Sequence, residues 1–161
     1  MARRGSTGVI KAWFVPTVVN ISAPTVAEIT AGTDLTGHLT RDGLATPSSG
    51  STTDVSDASS RQNKRAAGSF GGDDWTITLY RDDVAGNDTA WALLVRDLAG
   101  FIVIRRFGGS DVAVAAAQKV EVAPIVVISR QMANIADNTS VTFTANLAIT
   151  DEYDDAGVVA A

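Results

Sequence analysis

The sequence predicts a mainly β domain: an antiparallel β-sandwich or barrel with one packed α-helix and a long ordered loop. Residues 75–80 and 140–150 alternate apolar and polar side chains with a period of two, which is typical of half-buried strands. Residues 88–98 alone carry a clear apolar stripe at helical spacing. The six or seven predicted strands and the helix do not alternate as in a parallel βαβ fold.

The first 40 residues predict short strands separated by turns. Residues 9–19 are rich in β-forming side chains, and Pro16 predicts an edge or bulge position within that strand. Residues 25–30 fit a helical turn or a short strand equally well. Gly32 and Gly37 bracket a further turn or short strand.

Residues 40–74 are rich in Gly, Ser and Thr, which predicts a long loop. An ordered loop this polar needs a surface to pack on, and a neighbouring subunit is the simplest one. Its basic residues Arg61, Lys64 and Arg65 could contact phosphate, remain solvated, or pair with carboxylates of another subunit. We favour the third interpretation, because the C-terminal tail, 151–161, carries four acids and no base.

The second half of the chain supplies the predicted core. Strands are expected at 75–80, 101–107, 119–130 and 140–150, and the helix 88–98 should end at Gly100. Alternation turns one face of each half-buried strand inward. The predicted core residues are Trp75, Ile77, Leu79, Trp91, Leu94, Leu98, Phe143 and Leu147.

Length and composition exclude several classes of function. The 161 residues are treated as one domain, 1–161, with no cysteine and a net charge of −5. Thiol catalysis, cysteine-ligated zinc and disulfides are excluded. General nucleic-acid affinity would need a basic face. No signal-peptide core follows the N-terminus and the longest apolar run, 122–128, cannot span a bilayer, so we expect no membrane partner and synthesis in the cytoplasm.

No arrangement of reactive side chains predicts catalysis. His38 is the one histidine, and no Gly-x-Ser-x-Gly segment accompanies it to supply a serine nucleophile. Neighbouring residues on a strand point to opposite faces, so adjacent acids rarely share a site. We therefore expect no catalytic, cofactor or metal site, including at the acid pairs Asp73-Asp74, Asp82-Asp83, Asp151-Glu152 and Asp154-Asp155.

The order of these elements resembles the major tail tube proteins of siphophages, the phages with long non-contractile tails, especially those of actinobacterial hosts. The most similar pieces are 75–82, the helix that follows, and 143–149. The resemblance implies hexameric rings that stack into a tube around a DNA channel, with a β-barrel wall. The long loop and the termini would bridge to the next ring.

The resemblance also implies a set of partners. They are copies of the chain itself and the tape measure, tail terminator and distal tail proteins. DNA would pass through the tube without specific binding, no cofactor or active site would be present, and the protein would reside in the virion tail after synthesis in the host cytoplasm.

Other classes stay open: a capsid decoration or head–tail connector protein, a small ligand-binding β-domain, or an enzyme that uses the acid pairs. For a tube, the net charge of −5 predicts an acidic channel wall. Arg105 and Arg106 are adjacent, so only one of them can face the channel. That arginine would need a compensating acid, such as Asp82 or Asp83.

Overall fold

The structure is a computed structural model that describes residues 8–44, 49–59, 61–71, 74–84, 86–133 and 139–161. Within them the chain forms two short helices, α1 (Val26–Ala31) and α2 (Thr89–Leu93), and ten strands. The strands are β1 (Lys11–Val15), β2 (Thr33–Asp34), β3 (Leu39–Leu44), β4 (Ser49–Asp54), β5 (Arg65–Gly71), β6 (Trp75–Tyr80), β7 (Ala99–Arg105), β8 (Lys119–Met132), β9 (Thr142–Ile149) and β10 (Asp154–Val158).

Eight of the strands form one sheet in the order β2-β1-β7-β8-β9-β6-β3, with β10 paired to β8. The strands β4 and β5 form a separate two-stranded sheet. Every pairing between these strands is antiparallel, which confirms the predicted mainly β, antiparallel fold. No pairing among the described residues joins the end strands β2 and β3, so the large sheet is not closed into a barrel.

The long strand β8 joins the two halves of the large sheet. Residues 121–126 pair with β7 along one edge. Along the other edge, residues 119–122 pair with β10 and residues 125–132 pair with β9. The register with β9 shifts between Val127 and Ser129. Such a bulge bends a strand and increases its twist, which favours the curling of the sheet over its own inner face.

The first buried cluster fills the space inside the curled sheet, where the inner faces of β1, β7 and β8 meet those of β6 and β9. Fully burying one large apolar side chain contributes roughly 1.5–3 kcal/mol. Of the predicted core residues, Trp91 and Leu98 are partly buried and pack against the cluster. The others are buried within it: Trp75, Ile77, Leu79, Leu94, Phe143 and Leu147.

A second buried cluster covers the opposite face of β1, β7 and β8. Trp13, Val103 and Val122 point to this side, where Ile29 of α1 and Val159 of the C-terminal segment cover them. These three strands are therefore buried on both faces. Two-sided burial explains why their sequences are continuous apolar runs without the alternation seen in β6 and β9.

Helix α1 resolves the ambiguous segment 25–30. Thr25 and Glu28 form a capping box: the Glu28 backbone N–H donates to Thr25 Oγ1 (3.2 Å), and the Thr25 N–H donates to Glu28 Oε2 (2.7 Å). The N–H of Val19 also donates to Glu28 (2.9 Å). Hydrogen bonds from the backbone of Thr25, and then of Val19, lower the pKa of Glu28.

The prediction of a helix over 88–98 is wrong in extent, because α2 covers only Thr89–Leu93. Its apolar spacing is real, and Leu94 is fully buried directly after the helix. Asp97 has a φ of 66°, in the left-handed region that no helix uses. The Asp97 N–H donates to the Val127 carbonyl (2.8 Å), so pairing with β8 replaces the last helical turns.

The sequence predicted that Gly100 ends a helix, but in the structure this residue lies within β7. A Cβ atom at this position would overlap the ring of Phe14. The glycine is therefore explained by close packing between β7 and a side chain of β1.

The predicted irregular loop 40–74 is largely strand. It contains most of β3 and all of β4 and β5, while residues 45–48, 60 and 72–73 lie outside the described residues. Ser49 pairs with Gly71, and Leu44 pairs with Ile77, so the paired strands β3 and β6 flank the β4–β5 hairpin in the chain. Composition concealed β4 and β5 because they lack the alternating large apolar residues that mark a half-buried strand.

We expect Leu94→Ala to lower the free energy of unfolding by about 2–5 kcal/mol, because it removes buried methyl groups and leaves a cavity. Denaturant titration measures this loss. The matched control is Val95→Ala, at a neighbouring side chain that is 42% exposed. Equal effects at the two positions would show that Leu94 is not packed as the structure has it.

Candidate assembly surfaces

The side chains that could take part in catalysis or metal binding lie in ordinary structural contacts. His38 Nε2 is 3.0 Å from the hydroxyl of Thr89 at the start of α2. Within the described part of the chain, no group of three or more His, Cys, Asp or Glu side chains could hold a metal ion. Among those residues, too, no helix is long and apolar enough to cross a membrane.

The acid pairs stabilise local turns. Asp82 accepts a hydrogen bond from the N–H of Val84 (2.9 Å), and Asp154 accepts one from the N–H of Ala156 (2.8 Å). These short-range bonds to the backbone are typical of acids in turns. Asp73 lies outside the described residues. The pairs therefore do not converge on one site.

The basic residues of the predicted loop lie on the β4–β5 hairpin. Lys64 pairs with Asp57 at 3.6 Å, and Arg65 Nη1 donates to the hydroxyl of Thr52 (3.4 Å). Arg61 is exposed in the connection between the two strands. Both contacts join residues of the hairpin to each other, and exposed pairs of this kind contribute at most about 1 kcal/mol.

The described side chains of the hairpin form no core. Its strands pair with each other in a sheet of their own. Among the described side chains, none from β4 or β5 belongs to either buried cluster. A two-stranded hairpin alone in water is at best marginally stable. The hairpin therefore presents a surface that still requires a partner.

The outer face of β6, β9 and the C-terminal part of β8 carries no charge and mostly polar side chains, and we call it the hydroxyl face. The strands β6 and β9 contain no charged residue. The hydroxyls of Thr78 and Thr144 lie 3.5 Å apart, and Asn146 Nδ2 donates to Ser129 Oγ (2.9 Å). The polar residues of this face are Thr76, Thr78, Tyr80, Ser129, Gln131, Thr142, Thr144 and Asn146.

Trp91 lies between two guanidinium groups beside the first buried cluster. The Cζ atoms of Arg81 and Arg130 lie 4.1 Å and 3.9 Å from its ring centroid, within cation–π range. Its ring meets that of Phe143 edge to face at 5.0 Å. The Arg81 guanidinium binds Asp88 through Nε (2.8 Å) and Nη2 (2.7 Å), which lowers the pKa of Asp88.

Arg105 is buried at the end of β7, with 1% of its surface exposed. Its Nη1 donates to the carbonyl of Ala113 (3.1 Å) and to Gln118 Oε1 (2.9 Å). Its Nη2 donates to the carbonyls of Gly109 and Val112 (2.7 Å each). One guanidinium thus fixes the whole loop between β7 and β8.

The charge of Arg105 is not neutralised by direct contact. Among the described residues, no carboxylate forms an ion pair with it. Burial lowers the pKa of Arg105, whereas the negative charges of Asp111 and Asp34 act at longer range to raise it. The sequence contains no signal for this arrangement, because the bonds to its guanidinium come mainly from backbone carbonyls.

Arg106 points away from Arg105 and pairs with Glu121, not with Asp82 or Asp83 as the sequence predicted. The pair is bidentate, with Arg106 Nη2 at 3.0 Å from Glu121 Oε2. The phenol of Tyr153 also donates to Glu121 (2.7 Å). Burial, and then this hydrogen bond, raises the pKa of Tyr153. The three side chains tie the C-terminal segment to β8.

The low pKa of Asp88 predicts acid sensitivity. A folded-state pKa below the unfolded value of about 3.9 means that the ion pair stabilises the fold above that pH. This contribution is lost as the pH falls towards the folded-state pKa. Asp88→Asn should therefore lower the free energy of unfolding most at neutral pH, and its difference from the wild type should shrink below about pH 4.

Urea denaturation at a series of pH values measures this difference. The exposed neighbour Asp83 provides the matched control, Asp83→Asn. A difference between the wild type and Asp88→Asn that stays constant from pH 3 to pH 7 would contradict the ion pair.

The chain was compared with known proteins. A comparison with curated protein sequences gives no match. The fold is similar to a chain in the structure described as "Cryo-EM structure of the anti-feeding prophage (AFP) baseplate, 6-fold symmetrised", with a TM-score of 0.59 and 9% identity over 94% of this chain and 95% of that chain. At this identity the likeness concerns the fold alone. A family model described as "Phage tail tube protein" matches residues 1–161. The chain belongs to the phage tail tube protein family.

Proposed function

We propose that residues 1–161 act as one structural unit that assembles with copies of itself into stacked hexameric rings, forming the channel for DNA ejection from a phage tail. The family match over the whole chain supports a structural role in the tail. The same match favours a tube subunit over the other classes considered: a capsid decoration protein, a head–tail connector, a ligand-binding domain or an enzyme. We expect no catalysis and no cofactor.

The observation that carries self-assembly is the unsupported β4–β5 hairpin. Ordering a residue costs about 1–2 kcal/mol of backbone entropy, and the described side chains of this hairpin bury almost nothing in return. Contact with a neighbouring copy would supply the missing burial. Arg61, Lys64 and Arg65 would then meet carboxylates of that copy, which favours one register of association.

We infer that the hydroxyl face lines the channel. The sequence predicted an acidic wall from the net charge, but the strands β6 and β9 are uncharged. A wall of hydroxyl and amide groups offers DNA no cations, so phosphate contacts release no counterions. DNA would slide past such a wall without being held.

The same proposal implies location and partners. The protein would be made in the host cytoplasm and would reside in the virion tail. Its partners would be other copies of itself along the tube, and the tape measure, tail terminator and distal tail proteins.

Removing the hairpin should abolish polymerisation and leave the fold intact. In the test variant, an Asn-Gly turn replaces residues 49–71 and reconnects the segments that carry β3 and β6. We expect a folded monomer, because neither buried cluster uses a described side chain of β4 or β5. Negative-stain microscopy and sedimentation velocity measure the assembly state.

The matched control keeps the hairpin and replaces Arg61, Lys64 and Arg65 by alanine. This variant should assemble more weakly than the wild type but better than the deletion. Normal tubes from the deletion variant would rule out the hairpin as a contact between copies.

Assembled tubes should bind DNA weakly even at low salt, where electrostatic attraction is least screened. Thr76→Lys adds one cation per copy to the hydroxyl face, so binding of a short duplex should strengthen and become salt-dependent. Thr30→Lys, on the exposed side of α1, is the control. Fluorescence anisotropy against salt concentration measures both. Tight, salt-sensitive binding by wild-type tubes would contradict an uncharged channel.

A further inference from the structure

The layer formed by β1, β7 and β8 has two unlike ends. Lys11 pairs with Arg105 at one end of β7, and Val15 pairs with Phe101 at the other. The loop after β7 therefore lies at the opposite end from the segment after β1. The two ends are separated by about 20 Å, the length of six extended residues.

The first end, which we call the knob, carries Phe107. This ring is 64% exposed on a loop that the buried Arg105 holds in one conformation. Lys119 is exposed beside it, and both residues line the same shallow depression. Three carboxylates lie near this end. Glu121 pairs with Arg106, Asp155 lines a second depression with Phe107 and Lys119, and Asp111 is attracted by the charge of Arg105. The knob therefore combines an exposed aromatic side chain on a braced loop with Lys119, a cation that forms no ion pair among the described residues.

The second end is a groove of about 510 Å³ at the start of β7. Its apolar lining includes Val19, Ile21 and Phe101, and Val19 is 89% exposed. Asp151 and Glu152 form its rim, and no cation lies among the described residues that line it. The groove therefore offers the ring an apolar patch formed by Val19, Ile21 and Phe101, and it offers Lys119 the carboxylates of Asp151 and Glu152.

We propose that Phe107 of one copy inserts into this groove of a second copy, where Lys119 faces Asp151 and Glu152. The inference deepens the proposed function, because it names the surfaces that join copies. The contact joins two different ends of the chain, so it is heterologous and repeats from copy to copy. A rigid aromatic anchor costs little ordering entropy on binding, which suits an interface that forms many times along one assembly.

The first test is Phe107→Ala. Losing a central aromatic anchor costs an interface at least about tenfold in affinity, so the critical concentration for assembly should rise by that factor or more. The control is Val84→Ala, at a residue that is 56% exposed and away from both ends of the layer. It should assemble like the wild type. Pelleting assays over a range of concentrations measure both.

A charge exchange tests the pairing of the two ends. Lys119→Glu and Glu152→Lys should each weaken assembly, because each places like charges opposite one another. Each copy carries both ends, so the double variant restores an attractive pair and should assemble better than either single variant. A double variant no better than the weaker single variant would overturn the charge pairing.

Cross-linking provides a direct readout, because the chain has no cysteine. Lys119→Cys chains mixed with Glu152→Cys chains should form disulfide-linked dimers on mild oxidation under assembly conditions. Lys119→Cys mixed with Val84→Cys should not. Equal cross-linking in the two mixtures would overturn the proposed contact.

The outcomes separate this inference from the proposed function. Wild-type tubes, unchanged assembly of Phe107→Ala and no selective cross-link would overturn the knob-and-groove contact and leave the tube function standing. Unchanged assembly with a lower melting temperature would show that Phe107 packs within its own chain, which also overturns it. Failure of the wild-type chain to assemble at any concentration would overturn both.

Discussion

Strand β8 holds the large sheet together, because it pairs along both edges over much of its 14 residues. The strands β9 and β10 follow one of these edges in succession, and the chain leaves it at 150–153. The carbonyl of Pro124 accepts the N–H of Thr150 (3.1 Å) at this interruption. The backbone N and O of one strand residue point to the same edge of the strand. The nitrogen of Pro124 therefore faces the gap between β9 and β10, where no strand is paired and its missing N–H leaves no ladder bond unmade. The same interruption exposes Asp151 and Glu152.

Burial of β1, β7 and β8 on both faces explains where the polar interactions lie. A polar group without a hydrogen-bond partner between two apolar clusters would lower the stability of the fold by several kcal/mol. The charged side chains of these strands therefore lie at the strand ends. Arg105 occupies one end, where its terminal nitrogens donate mainly to carbonyls of the following loop and its buried Nε has no hydrogen-bond partner among the described residues. Its neighbour Arg106 points to the other side and meets Glu121. Arg105 thus holds the loop between β7 and β8, and Arg106 helps to hold the C-terminal segment through Glu121 and Tyr153.

The sequence predicted the strands that have at least one buried face, and it failed for strands that bury no described side chain. Alternation located β6 and β9, because each has one face in the core. It failed for β4 and β5, which bury no described side chain, and it overextended α2, where the backbone of Asp97 pairs with β8 instead. The knob and the groove were also out of reach, because each combines residues from separate segments, as Phe101 and Glu152 show.

The position of the β4–β5 hairpin in the chain has a mechanical consequence. The next strand after the hairpin is β6, which is paired with β9 from Trp75 to Tyr80. A pull on the hairpin along the axis of β6 would load these hydrogen bonds together in shear, because they run perpendicular to the strands. Peeling, by contrast, would break them one at a time. A pull in that direction would therefore meet a firm attachment, although none of the described side chains of the hairpin belongs to a buried cluster.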